Sequence, residues 1–235
     1  MKEKIKHIIR NNTVFRALLG PMHRKILKIQ RNKIFKSTAL EALNKLHNVL
    51  EGQDIEYWLE FGTLLGAVRE KGFIAHDLDI DIGLFMTADN EKVSELLSQS
   101  GFVKYRTISI DDGKYGLEET YTYKGLSIDF FYFTRRDDKM FCHVFSNEYG
   151  KSWDKTIEDR GGLIVYEHTF PYDGFEESMF LGKKVLIPKN VHKHLVAQYG
   201  ETYMVKDKKW NPYDMAPNKE ILEDKIGVVK SYATS

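Results

Sequence analysis

Apolar residues recur along "TALEALNKLHNVLEG", residues 38–52, as Leu40, Leu43, Leu46 and Leu50. That spacing predicts an α-helix with one apolar stripe, Thr38 as its N-cap and Gly52 as its stop. "IEYWLEF" (55–61) then predicts a strand ending at Gly62, and "TLLGAVRE" (63–70) a short helix broken by Gly72. In "DLDIDIGLF" (77–85) acids alternate with aliphatics, the period of a strand. "TADNEKVSELLSQSG" predicts a helix opening at Thr87 or Asp89. Six β-like runs follow: "FVKYRTISI", "LEETYTYKG", "LSIDFFYFT", "KMFCHVFS", "GLIVYEHTF" and "KKVLIP". "NVHKHLVAQYG" predicts a closing helix, and from Val205 a polar tail carries scattered aromatics. Helices and strands alternate early and strands dominate late, which places the chain in the mixed α/β (α+β) class.

Residues 1–36 follow a different pattern. Ile5, Ile8, Ile9, Leu18, Leu19, Ile26, Leu27 and Ile29 are interleaved with basic residues, and Gly20-Pro21 predicts a break between two helices. This segment holds eleven Lys/Arg against Glu3 alone, whereas the remainder carries 24 basic and 33 acidic residues. A basic arm on an acidic body points to an anionic surface, such as lipid headgroups, as its neighbour. The expected organisation is a helical arm over 1–36, a catalytic domain over 37–204 and a tail over 205–235 that packs on it. The length suits one good-sized domain, and the 42% apolar fraction is ample for a core. Cys142 is the only cysteine, so no internal disulfide forms. No run of about 18 apolar residues is present, and the N-terminus has no signal-peptide core. The expected location is cytoplasmic, peripheral at the inner face of the membrane.

The acids narrow the chemistry. Asp79 and Asp81 fall on one face of a strand, about 7 Å apart, and repel each other unless a cation lies between them. Hard divalent cations take carboxylate oxygens, so Mg²⁺ or Mn²⁺ is the natural counter-charge. Asp129 stands alone in the apolar run "LSIDFFYF", where a carboxylate is costly without a partner, and completes a set of three. An EF-hand is excluded, because counting from Asp77 puts Ile82 at the sixth position and Ala88 at the twelfth. A solvated acidic edge strand is the plain alternative. Upstream, Gly62 permits close backbone approach after a strand, and Thr63 caps the helix or donates to an anion. N–H groups at such a helix start suit phosphate, and Arg69 can extend to the same oxygens. His192 and His194 are two apart on a helix, do not share a face, and read as surface residues.

A glycine turn, a short helix and two alternating acids on a strand resemble the nucleotidyltransferase fold. The full string "FGTLLGAVREKGFIAHDLDIDIG" resembles the narrower LicD family of phosphotransferases, which includes the fukutin-related proteins. "GLSIDFFYF" is similar to that family's strand bearing the third acid. "FLGKKVLIPKNVHKHLVAQYGETYM" is similar to its C-terminal signature. The family's usual Pro-Trp is replaced by Ala75-His76, and Leu78 stands where an acid is common.

This resemblance implies catalytic and metal-binding roles for Asp79, Asp81 and Asp129, with two Mg²⁺ or Mn²⁺ ions as cofactors. It implies phosphate contacts from Gly62, Thr63 and Arg69, with His76 replacing the missing Trp as a stacking or phosphate group. Asp129 is also the expected general base. The implied reaction moves a phospho-alcohol, such as phosphocholine or ribitol phosphate, from a CDP-linked donor to a sugar hydroxyl of a glycan or lipid-linked oligosaccharide. Transfer of an NMP group, glycosyl transfer and a non-catalytic glycan- or membrane-binding module are the alternatives. No nucleic acid partner is expected.

Overall fold

The computed structural model describes residues 13–53, 55–207, 210–211 and 215–232, with residues 13–24 described by their backbone alone. It opens with α1 (Thr13–Glu51), one continuous helix that runs through Gly20-Pro21 and past Thr38. Neither expected boundary exists. A proline deletes one hydrogen bond of the ladder, and in a 39-residue helix the neighbouring turns carry the backbone through. Residues 1–12 lie outside the described residues. Gly52 stands just past the last helical residue, as its sequence position predicts.

A branched sheet forms the body. Its main order is β10 (Lys219–Ile221), β7 (Ile164–Pro171), β6 (Lys139–Ser146), β5 (Leu126–Arg136), β2 (Asp79–Phe85), β1 (Tyr57–Leu59), β9 (Lys183–Pro188) and β8 (Phe175–Phe180). The sheet forks at β5. The first half of that strand pairs with β4 (Gly116–Tyr123), and its end pairs with β6. From β4 the branch continues through β3 (Val103–Ile110) to β11 (Val228–Ser231). The central pair β2–β5 is parallel and in register from Asp79↔Ser127 to Phe85↔Phe133. β2 is therefore an interior strand, which removes the edge-strand reading of its acids.

The period of two sorts this sheet into two faces. Ile80 and Ile82 of β2, with Ile128 and Phe130 of β5, share a core with Leu43, Leu46 and Leu50 of α1 and with Val93 and Leu97 of α3 (Asn90–Gln99). The opposite face buries Trp58, Phe131, Phe133, Met140, Cys142 and Phe170, where α5 (Val191–Tyr199) contributes Ala197. The apolar stripe of α1 is Phe35, Ala39, Ala42, Leu43, Leu46 and Leu50. Leu40 falls outside it and is 48% exposed.

One α-helix and three strands among the described residues have no counterpart in the expected pattern. α4 (Trp153–Arg160) is capped by Ser152 and closed by Gly161 in the left-handed conformation. β8 completes a hairpin with β9, and β10 and β11 come from the tail. α2 (Phe61–Arg69) and the loop to β2 are treated with the site. If the α1 stripe is as described, Leu46→Ala costs about 2–5 kcal/mol, whereas Leu40→Ala stays within about 0.5 kcal/mol. Urea unfolding of the two variants checks the contrast.

Candidate active site

The turn from β1 into α2 is built around a buried carboxylate. Glu60, only 1% exposed, is the N-cap of α2. Its Oε1 accepts from the Phe61 backbone N–H (3.1 Å) and meets Nε2 of His194 (2.7 Å), while its Oε2 accepts from the Trp58 indole (2.7 Å). That indole lies over Gly83, where an added Cβ would come within 2.2 Å of the ring. Phe61 has φ of 42°, a left-handed conformation that strains a bulky residue by about 1–3 kcal/mol. Its ring is held edge-on to Phe131, centroids 4.6 Å apart, and contributes to keeping the turn in place.

Both backbone groups of Asp81 are fixed to this turn. The Glu60 N–H donates to its carbonyl (3.1 Å), and its own N–H donates to Thr63 Oγ1 (2.9 Å). Glu60 rather than Thr63 is thus the cap, and Thr63 ties the helix start to the acid strand. Gly62 lies under the acids. A Cβ there would stand 2.9 Å from Asp77 Oδ2 and 3.2 Å from Asp81 Oδ2. In the first turn of a helix, the N–H groups have no carbonyl partner within the helix, so Gly62 and Thr63 present an anion-favouring end here.

Register sets the acids side by side. Asp81 pairs with Asp129 across β2–β5, and Asp129 pairs with Thr120 across β5–β4. Paired residues on adjacent strands share a face at about 5 Å spacing. Burial raises every one of these carboxyls. Asp81 is held well above the usual carboxylate range by burial, then by the charges of Asp79, Asp129 and Asp77. Burial also raises Asp79, against the opposing charge of Arg31 from α1. Asp129 is pushed up to about 6 by burial, although a hydrogen bond from Thr120 pulls it down. Asp77 is pushed up to about 7 by burial and by Asp79. Asp129 Oδ1 is buried and has no hydrogen-bond partner among the described residues.

The structure thus gathers Asp79, Asp81, Asp129, Gly62 and Thr63. Asp77 precedes the strand, in a turn closed by its N–H to the Ile74 carbonyl (3.0 Å). Arg69 stands at the far end of α2, with Nε on Glu70 (3.0 Å) and Nη1 on the Tyr203 carbonyl (3.0 Å). His76 is exposed on the loop, beside Ala75, whose carbonyl accepts from Asn32 of α1 (3.0 Å). His194 corrects the surface reading. It is 1% exposed, paired with Glu60 and stacked on Phe170 at 4.3 Å. Spacing did separate it from His192, but the helix turns His194 inward. Glu60, Arg31, Arg106 and Tyr199 are the other groups that reasoning from sequence missed. Only Glu60 carried a signal, being an acid set between Leu59 and Phe61 at the end of an apolar run. Tyr199 is raised by burial and then by the charges of Asp81, Glu60 and Asp77.

Among the described residues, no group of three His, Cys, Asp or Glu side chains is arranged to hold a metal ion. The donor set nevertheless fits a hard cation: three carboxylates on one face, mutually repelling, with a buried oxygen lacking a partner.

The comparisons with known proteins place this arrangement in a class. Residues 54–190 match the family model described as LicD/FKTN/FKRP, nucleotidyltransferase domain. The chain belongs to this family. It is 24% identical over 186 residues to the mouse protein named ribitol-5-phosphate transferase FKTN, covering 79% of this chain and 37% of that protein. It is 34% identical over 129 residues to an uncharacterized protein of Rickettsia typhi, covering 52% of this chain and 38% of the other. A Caenorhabditis elegans protein is 29% identical over 186 residues, 77% of this chain and 46% of that one. The chain thus spans less than half the length of each of these relatives.

The raised carboxyls give a pH dependence with a definite sign. Folded values of about 6 for Asp129 and about 7 for Asp77 lie above the unfolded ones, so the folded chain holds these protons more firmly. The stability this contributes is full below about pH 4 and is lost as pH rises through about 6–7. In EDTA, the thermal midpoint is expected to fall between about pH 5 and pH 8, and Asp81→Asn is expected to flatten that fall. A midpoint that rises with pH in the native chain contradicts the assignment.

Proposed function

We propose that the chain is a metal-dependent phosphotransferase, moving a phospho-alcohol from a CDP-linked donor to a sugar hydroxyl of a glycan or its lipid-linked precursor. The observation that carries this reading is the in-register pairing of Asp81 with Asp129 beside the bare backbone of Gly62. Membership of a family in which the mouse relative is named a ribitol-5-phosphate transferase supports the choice of group transferred.

Asp79, Asp81 and Asp129 would hold Mg²⁺ or Mn²⁺, which when bound neutralises diphosphate charge and aligns an in-line displacement. The remaining roles belong to the chain. The first-turn N–H groups at Gly62 and Thr63 receive phosphate oxygens, and the Thr63–Asp81 bond keeps that turn in fixed relation to the acids. Arg69, anchored by Glu70 and the Tyr203 carbonyl, extends positive charge along the Asp77 side. Asp129, raised toward neutrality by burial, is suited to take the proton of the attacking hydroxyl. His76, exposed at the loop, is free to meet the outer part of the donor.

The exposed Ile26, Leu27 and Ile29 lie among Lys25, Lys28 and Arg31 on α1. This pattern fits docking on an anionic membrane that presents the acceptor. No helix among the described residues is long and apolar enough to cross a membrane.

Incubation with CDP-ribitol, CDP-glycerol or CDP-choline and a glycan acceptor is expected to release CMP, with Asp79→Ala and Asp81→Ala losing at least about 100-fold in rate. Release of pyrophosphate from CTP instead would assign NMP transfer and overturn the proposal. For the arm, changing Lys2, Lys4, Lys6, Lys25 and Lys28 to Gln in the full chain is expected to reduce co-sedimentation with phosphatidylglycerol vesicles. Undiminished binding contradicts membrane docking.

A further inference from the structure

β3 pairs with β4 in two registers. Lys104 lies opposite Tyr121, but Arg106 lies opposite Thr120, because a bulge falls between Lys104 and Arg106. Without it, Arg106 would pair with Glu119 and share the face of Lys104, whose ammonium bonds Glu119 at 2.6 Å. The bulge turns Arg106 over to the opposite face, the one that carries Thr120 and Asp129. Asp81, Asp129, Thr120 and Arg106 then form one row across four adjacent strands.

The contacts along this row are directional. Arg106 Nη2 donates to Thr120 Oγ1 (3.1 Å) and to Glu118 Oε1 (3.4 Å). The Thr120 hydroxyl, having accepted from Arg106, keeps its own hydrogen available for the carboxylate of Asp129, its cross-strand neighbour on the same face. The guanidinium is laid over the Trp153 ring at 4.6 Å, which fixes its plane from the side of α4. We infer that Arg106 is the positioning residue for Asp129, orienting the carboxylate through Thr120.

A lysine in its place keeps the charge but has neither the planar fork nor the stacking surface. A valine at Thr120 keeps the shape and removes the relay. The inference rests on the proposed metal site, so the test reads metal binding directly rather than turnover. Mn²⁺ alone is titrated into the full-length chain and followed by electron paramagnetic resonance. Arg106→Lys and Thr120→Val are each expected to weaken Mn²⁺ binding about 10-fold relative to the native chain, and the double variant no further than the weaker single. Thr120→Ser, which restores the hydroxyl, is expected to bind as the native chain does. Lys104→Met, on the same strand but the opposite face, serves as the matched control and is expected to leave the affinity unchanged. Native-like Mn²⁺ binding by Arg106→Lys or Thr120→Val, or additive losses in the double variant, overturns the role of Arg106. A native chain that binds no Mn²⁺ overturns the metal site itself, and the inference with it.

Discussion

The in-register parallel pairing of β2 with β5 is the constraint on which the rest of the site depends. It sets Asp81 against Asp129 inside the sheet, where burial raises both carboxyls and the charge of Asp129 raises Asp81 further. Much of the surrounding architecture serves to hold this unfavourable pair in place. Glu60 and Thr63 clamp the backbone of Asp81 from α2, and Thr120 stands opposite Asp129 on β4. Asn32 of α1 holds the loop that delivers Asp77. The proposed cation would relieve the repulsion between Asp81 and Asp129.

Behind the acids lies a second buried charge, Glu60, whose oxygens are taken by an indole, a backbone N–H and a histidine. This network explains how a bulky residue, Phe61, persists in a left-handed conformation at the start of α2. The strain there and the repulsion among the acids are offset by the same apolar cluster of Trp58, Phe131 and Phe170. Stability and function are thus linked through one region: the packing that buries Trp58 also fixes the helix end to which phosphate is proposed to bind.

What the sequence disclosed was local. Alternation gave the acid strand, a glycine after a strand gave the turn, and a lone acid among aromatics identified Asp129. The same reasoning applied to "YWLEF" would have found Glu60. What stayed hidden depends on pairing between distant segments. No spacing rule places Arg106 beside Asp129, because one bulge reverses the face that alternation assigns to it. Helix α1 runs through both of its expected boundaries because tertiary packing and length override single residues. The tail strands β10 and β11 are too short to show a period and exist because β7 and β3 offer them an edge.

The account stands or falls on whether the three acids share an ion. Anomalous diffraction from crystals grown with Mn²⁺ and CDP tests this directly. The account predicts manganese density bounded by Asp79, Asp81 and Asp129, with the diphosphate reaching from it to the N–H groups of Gly62 and Thr63. Manganese bound elsewhere, or CDP seated away from this row with the three carboxyls joined only to protein groups, would contradict it.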